Sequence, residues 1–203
     1  MQKDNTVLIF GGSGFIGLSL VNKMYGEGYR SIHIADLKAP NDNLPERVKY
    51  TAVDITDEVS ILKLFQELRP NVVYNLTGLA NLDTAIEFPK KTIELNVISN
   101  MTLLDASVKF GVELFVYASS AYAMSDRGSF YGISKLASEK IIEEYFKRFK
   151  LNFSILRFGS IYAAAEFENN YLFHLVKSAI EKGKIIHKGD GEEVREYVHV
   201  KDV

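Results

Sequence analysis

The sequence predicts an α/β protein in which helices cover both faces of a doubly wound parallel sheet. Short apolar runs alternate with longer stretches whose apolar residues recur every three or four positions. A helix between two strands carries the chain back to the same edge, so strands in this order pair in parallel. The 203 residues are 47% hydrophobic, which is enough for one substantial core.

Six apolar runs are predicted to be the strands of this sheet. They are short, and several are rich in valine and isoleucine, as strands buried on both faces are. In chain order they are Val7–Phe10, Ile32–Ala35, Val48–Val53, Val72–Tyr74, Leu114–Ala118 and Phe153–Leu156. The segment 38–47 holds two of the four prolines and is predicted to be a surface connection.

Helices are predicted between these strands. Thr56 is the predicted N-cap of a helix that reaches about Leu68. A second helix is predicted to end at Gly111, and its core-facing residues are Ile93, Val97, Met101, Leu104 and Val108. A third is predicted to turn its apolar residues into the core, namely Ile142, Tyr145, Phe146 and Phe149. The mixed charges of its segment 139–150 are predicted to form a solvated face.

The composition excludes several classes of protein. The net charge of −2 gives no sign of a nucleic-acid or membrane surface. The absence of cysteine excludes disulfides, zinc–thiolate sites and thiol nucleophiles. His174 and His187 have no carboxylate or second histidine at ligand spacing, so no metal site is expected. The polar N-terminus leads into only four apolar residues, too few for a signal peptide or membrane span, and a cytoplasmic protein is expected.

The segment GGSGFIG, residues 11–17, lies between the first strand and a helix. Gly11 permits a tight turn, Gly14 lets the backbone approach a pyrophosphate, and Gly17 lets the helix pack against the strand. The helix N-terminus then faces the anion with its partial positive charge. A glycine-rich turn without a ligand is the alternative interpretation.

Asp36 favours the ligand-binding interpretation. It follows the second strand, 19 residues after Gly17. A carboxylate there can accept both ribose hydroxyls of an adenosine and would repel a 2′-phosphate, which predicts NAD as the cofactor. Lys38 is only two residues after Asp36, so binding of NADP stays open.

Tyr131 and Lys135 are four residues apart and share one face of a predicted helix. A phenol has a pKa near 10, and an ammonium about 4–6 Å away lowers it by favouring the phenolate. Tyr131 is therefore a candidate base and Lys135 its partner, with an ordinary helix face as the alternative. Ser119 and Ser120 follow the fifth strand, where either hydroxyl could bind the reacting oxygen or simply cap the strand.

These motifs resemble the extended short-chain dehydrogenase/reductase family of NAD-dependent nucleotide-sugar epimerases and dehydratases. The resemblance runs from Val7 to Val203 and implies a Rossmann fold. It implies that Ser120, Tyr131 and Lys135 are catalytic. The implied cofactor-binding residues are Gly11, Ser13, Gly14, Phe15, Ile16, Gly17, Asp36, Asp54, Ile55, Leu76, Thr77, Gly78, Asn96, Tyr131 and Lys135. The implied substrate-binding residues are Ser120, Ser160 and Arg195, and the substrate is a nucleotide sugar.

The sequence departs from this family at several positions. Dehydratases of the family follow the catalytic Ser/Thr with Asp-Glu, whereas Ala121 and Tyr122 stand here. Tyr131 follows Ser120 by only 11 residues, which implies a more open or different sugar pocket. Ser160 replaces an asparagine that many relatives have. The missing acid pair argues for epimerisation or simple redox over loss of water.

The predicted organisation is an NAD-binding domain over residues 1–158 and the beginning of a substrate-binding region over 159–203, truncated after HVKDV. The predicted function is an NAD-dependent nucleotide-sugar epimerase. The alternatives are a nucleotide-sugar or keto-sugar reductase or dehydrogenase, a dehydratase, and a non-catalytic NAD-binding protein. The resemblance also implies a homodimer formed through the helix at about 91–110 and the helix that contains residues 139–150.

Overall fold

A computed structural model describes residues 2–40, 44–164, 170–185, 192, 194 and 196–203. These residues form two compact units, one ending at Arg157 and the other beginning at Phe158. The division into an NAD-binding domain and the beginning of a substrate-binding region stays a prediction.

The first unit is built on a six-stranded sheet. Its strands are β1 Val7–Phe10, β2 Ile32–Asp36, β3 Lys49–Ala52, β4 Val72–Asn75, β5 Leu114–Ser120 and β6 Phe153–Phe158. They lie in the order β3-β2-β1-β4-β5-β6. Neighbouring strands from β3 to β5 in this order pair in parallel. The order reverses direction between β1 and β4, which opens a crevice at their carboxyl ends. The predicted parallel α/β sheet is confirmed, with each strand within two residues of its predicted ends.

Helices connect the strands. They are α1 Phe15–Gly26, α2 Glu58–Leu68, α3 Leu82–Glu87, α4 Pro89–Ile93, α5 Ser99–Phe110 and α6 Ser129–Phe149. A π-helical turn, Glu94–Ile98, joins α4 to α5, and two 3₁₀ turns, Ala121–Met124 and Asp126–Gly128, join β5 to α6.

Apolar side chains fill both faces of the sheet. Successive residues of β1 point to opposite faces, so Leu8 and Phe10 pack in one cluster and Val7 and Ile9 in the other. The first cluster is completed by α2, α5 and α6, and the second by α1. Burial on both faces explains why the strands are continuous apolar runs rather than alternating ones.

The predicted N-cap of α2 was wrong by one residue. Asp57 caps the helix, because its Oδ1 accepts from the N–H groups of Val59 and Ser60 at 3.1 and 3.2 Å. Thr56 instead donates its N–H and its hydroxyl to Asp54 Oδ1. The carboxylate is the better cap here, since it satisfies two helical N–H groups at once.

Two other helix predictions need correction. Met101 is exposed, because the π-helical turn inserts an extra residue and shifts the buried stripe away from the predicted spacing. Gly111 does end α5, with φ +73°. At the end of α6, Phe146 and Phe149 are also exposed rather than in the core, and their rings lie against those of Phe153 and Tyr145.

The second unit contains β7 Ser160–Tyr162, α7 Tyr171–Lys182 and β8 Tyr197–His199. The two strands pair in parallel, and α7 has no buried side chain. Within the described parts of the chain, no helix is both long and apolar enough to span a bilayer.

Candidate active site

The glycine segment forms a tight loop against the end of β4. Gly11 has φ +77°, and a Cβ there would lie 2.8 Å from the carbonyl carbon of Leu76. A Cβ on Gly17 would collide with the Gly11 carbonyl and lie 2.6 Å from Gly12 Cα. Only glycine fits either position, so the loop, strand and helix can lie in backbone contact.

The N-terminus of α1 has the features of an anion-binding site. Gly14 is its N-cap and has no side chain to accept a hydrogen bond from the helix. Ser13 Oγ is buried and has no hydrogen-bond partner in the described structure. A buried hydroxyl without a partner is costly. A phosphate at the helix N-terminus would satisfy it and complement the helix dipole.

Asp36 ends β2 beside this loop. Its Oδ2 accepts from Ser13 N–H at 3.1 Å and its Oδ1 from Lys38 N–H at 3.3 Å. Each carboxylate oxygen keeps a further acceptor site for a ligand hydroxyl. The structure therefore brings Asp36 and the glycine loop together as the sequence predicts.

Asp54 and Ile55 follow β3 next to Asp36, whose carbonyl accepts from Val53 N–H at 3.0 Å. Hydrogen bonds from Thr56 lower the pKa of Asp54. The side chain of Ile55 is buried in the core cluster. The contact of Asp54 and Ile55 with an adenine stays a prediction.

The segment after β4 is held by Asn96. Asn96 Oδ1 accepts from Leu79 N–H at 2.7 Å, and its Nδ2 donates to the Leu79 carbonyl at 3.1 Å and to Ser134 Oγ at 2.8 Å. Gly78 has φ +133°, and a Cβ there would lie 2.6 Å from Asn96 Oδ1 and 3.6 Å from Lys135 Nζ. These bonds give Asn96 a positioning role, and its contact with a cofactor stays a prediction.

Leu76 and Thr77 line the same crevice. Leu76 N–H donates to the Phe10 carbonyl at 2.9 Å, which ties the segment to β1. Thr77 donates its N–H and its hydroxyl to Asn75 Oδ1 at 3.1 and 2.5 Å. Both residues are half-buried next to the glycine loop.

Tyr131 and Lys135 lie buried in the first turns of α6. Lys135 Nζ donates to the Ala118 carbonyl at 2.7 Å. The same nitrogen lies 4.7 Å from the centre of the Tyr117 ring and 5.9 Å from that of Tyr131. The predicted pair therefore shares one site, with the ammonium fixed by β5.

The predicted pKa direction for Tyr131 was wrong. Burial raises the pKa of the Tyr131 phenol, and a hydrogen bond with Ser120 only partly opposes this. Burial lowers the pKa of Lys135 to about 8, against the opposing charge of Glu139. Desolvation is the largest cause of both pKa shifts because both groups lie inside the protein.

The two serines at the end of β5 have different surroundings. Ser120 Oγ accepts from Tyr122 N–H at 3.2 Å, which leaves its hydroxyl hydrogen to donate elsewhere. Ser119 Oγ donates to Glu139 Oε1 at 2.5 Å. Adjacent strand residues point to opposite sides, so only Ser120 accompanies Tyr131.

The short connection between β5 and α6 folds back on the helix. The Tyr122 ring lies edge-on to the Tyr131 ring, with centroids 6.2 Å apart. A Cβ on Gly128 or Gly132 would lie 2.9 or 2.6 Å from the Tyr122 carbonyl oxygen. Ser129 enters the helix at φ 47°, a strained conformation for a residue other than glycine.

Sequence reasoning missed Glu139 and Arg157. Glu139 was assigned to a solvated face, yet it is fully buried and forms an ion pair with Arg157. Its position four residues after Lys135 and eight after Tyr131 was the available signal, because that spacing puts all three on one helix face.

The predicted substrate-binding residues in the second unit stay predictions. Ser160 begins β7, and its N–H donates to the Glu196 carbonyl at 3.1 Å. Arg195 lies outside the described residues. Across the described ranges, no group of three His, Cys, Asp or Glu residues could hold a metal ion.

The chain is similar in sequence and fold to proteins of known activity. A model of the NAD dependent epimerase/dehydratase family matches residues 7–203. The UDP-glucose 4-epimerase of Haemophilus influenzae is 27% identical over 97% of this chain and 70% of its own length.

Two solved structures share the fold closely. The UDP-glucose 4-epimerase of Thermotoga maritima, solved with UDP-glucose, has a TM-score of 0.86 at 27% identity and is matched over 97% of this chain and 70% of its own. The enzyme of the same name from Thermus thermophilus, solved with NAD, has a TM-score of 0.84 at 27% identity, covering 97% and 71%.

Proposed function

Because the chain belongs to the NAD-dependent epimerase/dehydratase family, we propose that it is a nucleotide-sugar epimerase. The family membership makes it an enzyme with NAD as its cofactor. The choice of epimerisation, and of a nucleotide sugar as substrate, is supported by the site's own residues and by the relatives that carry the name UDP-glucose 4-epimerase.

The residues of the glycine loop fit NAD. The buried, unpartnered Ser13 hydroxyl and the N-terminus of α1 at Gly14, which has no side-chain cap, suit a pyrophosphate. Asp36 would hold the adenosine ribose, and Lys135 the nicotinamide ribose. When bound, NAD supplies a hydride acceptor and a positive charge beside Tyr131.

The catalytic work of the chain is proton transfer at a sugar hydroxyl. Tyr131 takes the hydroxyl proton onto its phenolate oxygen and returns it when the hydroxyl is restored. Ser120 donates a hydrogen bond to the reacting oxygen, since Tyr122 N–H has already fixed its acceptor side. Lys135 favours the phenolate, which burial alone disfavours.

The observation that carries epimerisation over dehydration is the pair Ala121-Tyr122. Loss of water needs a proton donor for the leaving hydroxyl, and the family's dehydratases have Asp-Glu here. Asp126 is the carboxylate nearest along the chain, and it is exposed in the connection to α6. Tyr122 offers an aromatic edge to Tyr131 instead.

The proposed assembly is a homodimer. Large apolar side chains are exposed on the π-helical turn, α5 and α6, namely Ile98, Met101, Phe130, Ile133 and Leu136. Ile98 and Phe130 also line an open depression with Pro89 and Ile93. Exposed large apolar side chains on neighbouring helices support a protein interface here.

The test is incubation with NAD and each of several nucleotide sugars, UDP-glucose among them, followed by chromatography and by absorbance of NADH. We expect one of them to be converted to its epimer, UDP-galactose in the case of UDP-glucose, without accumulation of NADH. Net NADH would support a dehydrogenase, and a product lighter by one water would support a dehydratase. NAD binding without turnover of any nucleotide sugar would support a binding protein and refute the proposal.

A further inference from the structure

Lys135 and Glu139 stand apart among the charged residues. Of the lysines, arginines, aspartates and glutamates in the described ranges, these two are buried, with exposed fractions of 4% and 0%. They lie one turn apart on α6 and share a helix face. A charge removed from water is costly unless an opposite charge lies nearby.

The Glu139 carboxylate is fixed at both oxygens. Ser119 Oγ and Arg157 Nε donate to its Oε1 at 2.5 and 2.9 Å, and Arg157 Nη2 donates to its Oε2 at 2.6 Å. The two-pronged contact with Arg157 sets the orientation of the carboxylate as well as its distance. Ser119 directly follows Ala118, whose carbonyl binds Lys135, so the carboxylate is anchored next to the ammonium's own anchor.

Arg157 offsets only part of the charge of Glu139. The Arg157 side chain is 43% exposed, so water screens its charge. Lys135 donates to a backbone carbonyl and lies over the Tyr117 ring, and neither group carries a negative charge. The buried carboxylate is therefore the available counter-charge for the buried ammonium.

We propose that Glu139 is a positioning residue of the active site, whose buried negative charge keeps the buried Lys135 ammonium charged beside Tyr131. This rests on the function proposed above, in which Lys135 favours the Tyr131 phenolate. Glu139 acts only through Lys135. In agreement, burial lowers the pKa of Lys135 to about 8 and the charge of Glu139 opposes that change.

Four other ionisable groups in the described part of the chain have an electrostatic or ring contact with Lys135 or Glu139. They are Tyr117 from β5, Tyr131 and Lys140 from α6, and Arg157 from β6. Burial raises the pKa of both tyrosines, so both stay neutral where Lys135 titrates. Gly78 and Asn96, which approach from the loop after β4 and from the π-helical turn, do not titrate.

The test follows Lys135 itself, by NMR of the whole chain labelled with ¹³C-lysine, without NAD or sugar. Its Cε signal is assigned by its absence from Lys135→Arg. The wild-type midpoint is expected at about pH 8. Glu139→Gln is expected to lower that midpoint by roughly half a pH unit or more, because the counter-charge is removed while the shape is kept.

Two further variants make the result specific. Glu144→Gln removes a half-exposed carboxylate from the same helix and is expected to leave the midpoint in place. Arg157→Gln is expected to raise the Lys135 midpoint, because the positive charge that offsets part of the Glu139 charge is then gone. Loss of structure would instead move every variant up, toward the ordinary lysine value of 10.5.

An unchanged or raised midpoint in Glu139→Gln overturns the proposal. Should that variant fail to fold, Arg157→Gln decides, since a rise with the melting transition retained supports the pairing and any other result refutes it. Neither measurement uses cofactor or substrate. Failure of the epimerase assay would therefore be distinct from failure of this inference.

Discussion

The ammonium of Lys135 lies over the ring of Tyr117, 4.7 Å from its centre, and so lies closer to it than to the ring of Tyr131, the residue it is proposed to assist, whose centre is 5.9 Å away. Tyr117 is buried, and burial raises the pKa of its phenol, so this ring stays neutral and attracts the cation by its π face. Together with the Ala118 carbonyl it fixes the ammonium before any ligand arrives.

Stability should rise with pH because of Lys135. The pKa of Lys135 is about 8 in the folded chain and 10.5 ordinarily, so between these values the unfolded chain binds more protons. The free energy of unfolding should increase by roughly 2 kcal/mol from pH 8 to pH 10 in urea titrations. Lys135→Met should lose this rise and Lys140→Met, exposed on the same helix, should keep it. Equal slopes in both variants would contradict the assignment.

Tyr131→Phe should abolish turnover while leaving NAD binding intact. The variant removes the proton acceptor and keeps the ring, so kcat should fall by about 10²–10⁴-fold. Calorimetric titration with NAD checks the binding. Tyr145→Phe is the control, since that hydroxyl is on the same helix and binds Asp105 at 2.6 Å, away from the site. Full activity in Tyr131→Phe would remove Tyr131 from its proposed role.

Gly17→Ala and Gly26→Ala should have opposite effects on stability, although both lie in α1. The new methyl at position 17 meets the backbone of Gly11 and Gly12, and such overpacking costs about 1–3 kcal/mol. At position 26 nothing lies within 4 Å, and alanine should stabilise by up to about 1 kcal/mol. Denaturant midpoints distinguish the two, and a stable Gly17→Ala would argue against the close contact.

Asp36→Asn should weaken NAD binding by about 10–100-fold, because hydrogen bonds to a charged acceptor contribute about 1.5–3 kcal/mol. Discrimination against NADP should narrow at the same time, since the charge that repels a 2′-phosphate is gone. Titration calorimetry with both cofactors measures this, and Asp4→Asn in the exposed N-terminal segment is the control. Unaltered NAD affinity would place the ribose elsewhere.

Ile133→Glu should dissociate the proposed homodimer. Ile133 is 60% exposed on α6, within the apolar surface of that helix. A charge buried in an interface is strongly unfavourable. Light scattering of the wild type should show a dimer and of the variant a monomer, whereas Val59→Glu, an exposed site on α2, should change nothing. A monomeric wild type would end the proposal.

The elements that could be predicted from sequence are those with a local cause. The strands were readable because both faces are buried, and the glycine loop because Gly11 and Gly17 are places where a side chain cannot fit. The exposure of Met101 could not be predicted from the sequence, since a π-helical turn leaves no mark in the spacing of the apolar residues.

Features of the site that depend on how deeply a group is buried could not be predicted from the sequence either. Glu139 stands in a stretch rich in charge, and only the approach of β5 and β6 shows that it is buried. The direction of the Tyr131 pKa likewise follows from how far the phenol is removed from water, which sequence spacing does not encode. Which of Ser119 and Ser120 lies beside Tyr131 could be decided only once the structure showed the side of β5 to which each side chain points.

The strained backbone of Ser129 has a consequence for protein engineering. Its φ of 47° occurs where two 3₁₀ turns lead into α6, and Gly128 and Gly132 lie in close contact with Tyr122 of the first turn. Because Tyr131 follows Ser129 by two residues, the length of this connection affects where the first turn of α6 and the Tyr131 phenol lie. We therefore expect that a graft of a longer loop at this place would also need a redesigned first turn of α6.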